Sequence, residues 1–352
     1  MTLNPGEIWE SYGLDKLQQG LDTLFPEIGL SLNQLLELLL QGDIMGCITG
    51  LMQSGVKGFL GYTSSLKNIL VWLLILGIAS SLITHFVEIF DKHQMADLSF
   101  YFVYLLLMTV LLKCFQETAG VTVEVLGNIV IFMQLMIPTY LLAVGVASGV
   151  ATVSVSYQMM LGLIYIVETL LQSGLIPFIH MYIMLAMMNG IWVEEKLGLL
   201  IKLFEKAITG TLKGAVGVVT GISIFQSMIT PALGAIKNTA LQKVIAAIPG
   251  IGNAAEGVME LMLGSAVIIK NSIGIICLLI LLVICAAPLI YIFLLSWILR
   301  LAAAVLGIVS DKRLTACTNQ FGEACMLLLR TATTAVALFM ISISVVAVST
   351  GR

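Results

Sequence analysis

The chain is 352 residues long, 59% hydrophobic and only 11% charged, with a mean hydropathy of +1.06, where a soluble globular domain carries roughly 25% charged residues. That composition excludes an ordinary soluble domain and marks an integral membrane protein. The net charge of -3, with no basic block and no interleaving of aromatic and basic residues, gives nucleic-acid binding no electrostatic footing.

Residues 1–66 are the most acidic stretch, with Glu7, Glu10, Asp15, Asp22, Glu27, Glu37 and Asp43 against Lys16 and Lys57. The opening MTLNPGEIWESYG lacks the basic start and apolar core of a secretory signal. Leu14, Leu17, Leu21, Leu24 and Phe25 share one helical face, and Pro26 stops that helix. Ser31 with Gln34 forms a capping box ahead of a second apolar face, Leu32, Leu35, Leu36, Leu39 and Leu40. This region is predicted to form short amphipathic helices lying on a membrane surface or on a partner. Gly42, Gly46 and Gly50 recur at every fourth position, which suits either close helix approach or a flexible linker.

Residues 67–352 are predicted to form one multi-pass domain. The fold class is all-α, a polytopic membrane helical bundle of about seven spans with interfacial helices and, as one alternative, a re-entrant element. The spans are predicted at residues 69–90, 98–115, 125–146, 152–171, 176–193, 273–309 and 326–348. The sixth is longer than one crossing requires and contains Pro288 and Arg300, so it is either one span with an interfacial continuation or two pieces kinked at Pro288. Between the fifth and sixth, Lys196, Lys202, Lys206 and Lys213 mix with Glu194, Glu195 and Glu205, the pattern of an interfacial helix rather than a span. Gly210, Gly214, Gly217 and Gly221 then line one helical face, which predicts tight packing against another helix.

The apolar pattern is broken most in QSMITPALGAIKNTALQKVIAAIPGIGNAAEGVMELMLGSAVIIKNSIG, residues 226–274. Pro231 is predicted to end the glycine-faced helix. Leu233, Ile236, Ala240 and Val244 form the apolar face of a short amphipathic helix, which stops at Pro249. Gly250 and Gly252 permit a tight turn, and Asn253 with Glu256 caps the next helix. The expectation over about 230–270 is helix, turn, helix, either a surface hairpin or a re-entrant element lining a cavity.

Three scattered histidines, His85, His93 and His180, and the lack of HExxH, GxSxG or P-loop patterns leave no metal, cofactor or nucleophile constellation. The six cysteines form no CxxC pair and behave as small apolar residues. The remaining signal is ionisable residues within apolar runs: Glu168, His180, Lys270 and Arg330. In lipid such groups face a partner or water, or snorkel to an interface when near a helix end.

Residues 226–288, together with IPTYLLAVGVASG, LIPFIHMYIMLAMMNG and the terminal SVVAVSTG, resemble the stage III sporulation protein AE family of endospore-forming bacteria. The resemblance spans roughly residues 69–351. It implies a multi-pass protein of the mother-cell membrane facing the forespore. It further implies partnership with the other proteins of one operon, among them an ATPase, and through them with a forespore membrane protein in a transenvelope channel-like or secretion-like assembly. Homo-oligomerisation is open to such a chain. The resemblance brings no catalytic residue, so a non-enzymatic membrane component of that assembly, required for forespore development, is the expected function. The competing reading is a stand-alone secondary transporter or permease whose broken-helix site lies near Pro249.

Overall fold

Hydroxyl groups are a cost in an apolar bundle, and here they are satisfied locally. Thr118, Thr122, Thr318 and Thr331 are all buried, and each Oγ1 donates to the carbonyl four residues earlier at 2.7–2.9 Å. With its polar groups folded back, a helix can pack on every side. The computed structural model describes residues 14–24, 31–40, 93–148, 150–191, 196–246, 252–309 and 312–349, with isolated positions between 46 and 79.

All regular structure among the described residues is helical. Two short helices, α1 (Leu14–Leu24) and α2 (Leu32–Leu40), precede five long arms. The first arm is α3 (His93–Ser148). The second joins α4 (Val150–Ile166), a π-helical segment (Val167–Leu175) and α5 (Ile176–Ile191). The others are α6 (Gly198–Ala246), α7 (Gly252–Val309) and α8 (Lys312–Ser349).

Side-chain contacts fix the direction of each arm. A Cβ at Gly145 would meet Val153 at 3.2 Å, so α4 folds back along α3. Phe115 meets His180 edge-on at 5.1 Å and Tyr104 donates to the Met187 carbonyl at 2.7 Å, which carries the antiparallel pairing through α5. Asn189 accepts from the Leu197 amide at 2.9 Å, and Phe178 lies 5.9 Å from Phe204, so α6 reverses again. Ser296 donates to the Gly322 carbonyl at 2.7 Å, pairing α7 and α8 antiparallel. Phe115 against Phe321 and Tyr140 against the Ile343 carbonyl show that α8 runs parallel to α3. Helix α8 is the centre, packed against α3, α5, α6 and α7.

The short helices follow the predicted pattern. Leu14, Leu17 and Leu21 of α1 and Leu32 and Leu35 of α2 are buried, α1 against α3 and α2 against α7. Ser31 accepts from the Gln34 amide at 3.5 Å, and Gln18 of α1 accepts from the Leu32 amide at 2.8 Å, a cap supplied from the neighbouring helix. Their apolar faces therefore meet the bundle itself.

The arms correct several expectations. Five helices among the described residues are long and apolar enough to cross a membrane: Phe100–Ala147, Val153–Ile191, Gly198–Phe225, Ala266–Ile308 and Lys312–Ala347. The predicted pairs 98–115 with 125–146, and 152–171 with 176–193, each fall on one arm. The predicted 69–90 span lies mostly outside the described residues. Of residues 194–214, expected to be interfacial, 198–214 belong instead to the α6 arm. Pro231 does not end a helix, since α6 continues to Ala246; in a long membrane helix a proline is tolerated when its freed backbone group finds another partner. Pro288 likewise lies inside α7 without breaking it. Pro249 and Gly250 lie outside the described residues. Gly252 opens α7, with Asn253 and Glu256 in its first turns, so Asn253 stands just inside the helix it was expected to cap.

These helices are far taller than a bilayer. Helix α3 has 56 residues and α7 has 58, about 85 Å each at 1.5 Å per residue, against a hydrocarbon core of about 30 Å. The bundle therefore extends beyond one or both membrane faces.

Candidate functional site

One close helix approach involves a charged side chain, at Gly322. A Cβ there would lie 2.9 Å from Arg300 Cγ and 3.3 Å from the Ser296 carbonyl oxygen, so only glycine lets the Arg300 stem cross α8. Having crossed, the Arg300 guanidinium meets Glu323 at 2.5 Å, while Arg330, two turns further along α8, approaches the other oxygen of the same carboxylate at 3.7 Å. Two cations share one anion, giving the cluster a net charge of about +1 at neutral pH. The side chains are 38%, 24% and 44% exposed for Arg300, Glu323 and Arg330. Tyr182 of α5 lies within electrostatic reach of Glu323, Arg300 and Glu205 of α6. Four arms thus place polar groups at one level of the bundle.

A second polar anchor closes the opposite end of α8. Lys270 is fully buried, and its ammonium donates to the Ala347 carbonyl at 2.8 Å. Ala347 lies in the last turn of α8, where carbonyls lack helical partners and the helix dipole favours a cation. One level away, Tyr140 reaches the Ile343 carbonyl at 3.4 Å, and its ring lies 3.3 Å from where a Cβ at Gly274 would sit.

The four ionisable residues singled out from sequence do not converge. Lys270 and Arg330 are at levels of α8 separated by 17 residues, roughly 25 Å. Glu168 is exposed on the π-helical segment. That segment precedes Pro177, which cannot donate; the wider register gives the Ile176 amide to the Leu171 carbonyl, and Ser173 donates to the Glu168 carbonyl at 3.0 Å. His180 packs its ring on Phe115, with Nδ1 2.9 Å from the Ile176 carbonyl oxygen, a structural arrangement.

The glycine face of α6 is also placed otherwise than expected within the chain. At Gly210, Gly214, Gly217 and Gly221 an added Cβ would meet nothing within 4 Å. No helix of the described bundle packs there, because α6 turns its opposite face, Ile208, Leu212, Ala215 and Val219, to the core. Sequence reading missed Glu323 altogether. The available signal was its spacing of seven from Arg330, which puts both on one helical face.

A family profile matches residues 30–350, nearly the whole chain. The chain belongs to the stage III sporulation protein AE family. Within that family, the stage III sporulation protein AE of Bacillus subtilis (strain 168) is 21% identical over 258 residues, which are 73% of this chain and 65% of the relative's length. The aligned part thus spans just under two thirds of that relative. Every arm from α3 to α8, and α2 as well, falls within the matched residues, leaving α1 outside. No solved structure matches the chain. The family match agrees with the resemblance carried by residues 226–288.

Proposed function

We propose that this member of the stage III sporulation protein AE family is a non-enzymatic, multi-pass membrane component of a transenvelope assembly between mother cell and forespore, serving there as a structural anchor or wall element. The observation that carries this reading is the central position of α8. It is packed against four other helices, and its Glu323 pairs with both Arg300 of α7 and Arg330 of α8. Such a core resists deformation. Two grooves are seen among the described residues: one of about 380 Å³ between α4 and α6, lined by Gln158, Gly162, Val219 and Phe225 among others, and one on the α7–α8 hairpin. Arms longer than the bilayer is thick suit a part that must meet partners beyond the membrane surface.

On this reading the chain resides in the mother-cell membrane facing the forespore, and its partners are the other proteins of its operon, including the ATPase. The open glycine face on α6 is a surface available to a neighbouring helix. Deletion of the gene should arrest development after engulfment, and affinity purification of the tagged chain from sporulating cells should recover the ATPase and its companions. Normal spore formation by the deletion strain would refute the proposal. Saturable solute uptake into liposomes holding the purified chain alone would favour the stand-alone transporter instead.

A further inference from the structure

A groove of about 410 Å³ lies between α7 and α8 near their turn, lined by Arg300, Ala303, Ala304 and Gly307 on one side and Lys312, Thr315, Ala316 and Asn319 on the other. Its composition follows from helical spacing. Each helix offers residues at i, i+3, i+4 and i+7, and the small ones form a floor beneath a polar rim. Two cations, a hydroxyl and an amide converge on the rim, and among the described residues that line it there is no carboxylate. Glu323 engages the Arg300 guanidinium through Nη2, while Arg300 Nε is buried with no hydrogen-bond partner. The nearby ion cluster keeps its surplus positive charge, and Lys312 adds another.

The position of the groove is as informative as its charge. It lies at the Ile308 end of one candidate span and the Lys312 end of the next, where a charged rim adjoins an apolar helix surface. Beside it, Leu301, Val305 and Ile308 are exposed at 54%, 47% and 85%, a lipid-facing stripe leading inward from the rim. We propose that this groove binds a phosphate group, that of an anionic phospholipid, with Arg300 and Lys312 holding the phosphate oxygens and the acyl chains lying along Leu301 and Val305. Arginine and lysine are the residues suited to that anion, and basic pockets between membrane helices at the headgroup level recognise it.

The test uses the full chain, purified in mild detergent and reconstituted in nanodiscs of phosphatidylcholine with or without phosphatidylglycerol. Bound lipid is read by native mass spectrometry, and thermal unfolding is followed in parallel. Wild type should retain phosphatidylglycerol in preference to phosphatidylcholine. Lys312→Gln should retain it roughly tenfold less, the effect of losing one charge-assisted contact. Ala304→Phe, which fills the exposed floor and keeps both cations, should lose it as well, while unfolding near the wild-type temperature in phosphatidylcholine alone. A separate arm adds inorganic phosphate in detergent: protection that Lys312→Gln abolishes, without selective lipid retention, would assign the same site to a free phosphate. Equal retention of both lipids by wild type and both variants, with no effect of inorganic phosphate, would overturn the proposal.

Discussion

The Lys270 ammonium donates to the Ala347 carbonyl at 2.8 Å from a side chain with no solvent exposure, tying α7 to the last turn of α8. A cation is favourable there because the C-terminal carbonyls carry the negative end of the helix dipole. Lys270→Glu should therefore destabilise far more than Lys270→Met: the first sets an anion against those carbonyls, the second only removes one charge-assisted hydrogen bond, at about 1–3 kcal/mol. Unfolding temperature in detergent checks this. A glutamate variant as stable as wild type would remove the assigned role of Lys270.

Gly322 and Gly214 should respond in opposite ways to the same substitution. At Gly322 a methyl group meets Arg300 Cγ at 2.9 Å and the Ser296 carbonyl at 3.3 Å, so Gly322→Ala should cost about 1–3 kcal/mol through overpacking, and Gly322→Val more. At Gly214 nothing lies within 4 Å, and alanine should stabilise the isolated chain by up to about 1 kcal/mol through helix propensity. Gly214→Leu that leaves the purified chain stable but abolishes function in cells would locate a partner on the α6 glycine face.

Tyr104 and Gly190 form a coupled pair. A Cβ at Gly190 would collide with the Tyr104 hydroxyl, which donates to the Met187 carbonyl at 2.7 Å. Gly190→Ala should push that hydroxyl off its acceptor, at about 1–3 kcal/mol. Tyr104→Phe removes the colliding atom along with the hydrogen bond, so the double variant should be distinctly less than additive. Full additivity in a thermal or denaturant cycle would show that the two do not act through this contact.

The Arg300–Glu323–Arg330 cluster predicts an order of severity. Glu323→Gln leaves two guanidiniums side by side without their shared anion, and should cost about 1–3 kcal/mol. Arg330→Gln removes only the longer contact at 3.7 Å and should cost less. Restoring the balance with Arg300→Gln in the Glu323→Gln background should recover part of the loss, measurable as a coupling energy. Equal effects of the two single variants would argue against the assigned geometry.

Helix α7 also bears on the depth of the turn expected from sequence at residues 249–252, most of which lies outside the described residues. Eighteen residues separate Gly252 from Lys270 on one helix, about 27 Å, so cysteines placed at Asn253 and Ala254 should react with an impermeant maleimide from one aqueous side. Protection from both sides would place the turn within the membrane, as a re-entrant element.

Much of this protein was legible from residues alone. Composition excludes a soluble fold because no soluble surface can be built from 11% charged residues, and the spacing of Leu14, Leu17 and Leu21 marks a buried face because a helix repeats every 3.6 residues. The texture of residues 226–288 carries the family. The helix end expected at Pro231 does not occur, and of the two readings open at Pro288 the unbroken helix holds, since a proline's local preference yields where the freed backbone group finds another partner. What only the tertiary structure decided is which charges meet. Arg300 and Glu323 are 23 residues apart, and Lys270 and Ala347 are 77 apart. No local pattern relates such pairs, because their approach depends on the register of one helix against another, set by a glycine at Gly322 and by the packing of α8 against α3, α5, α6 and α7.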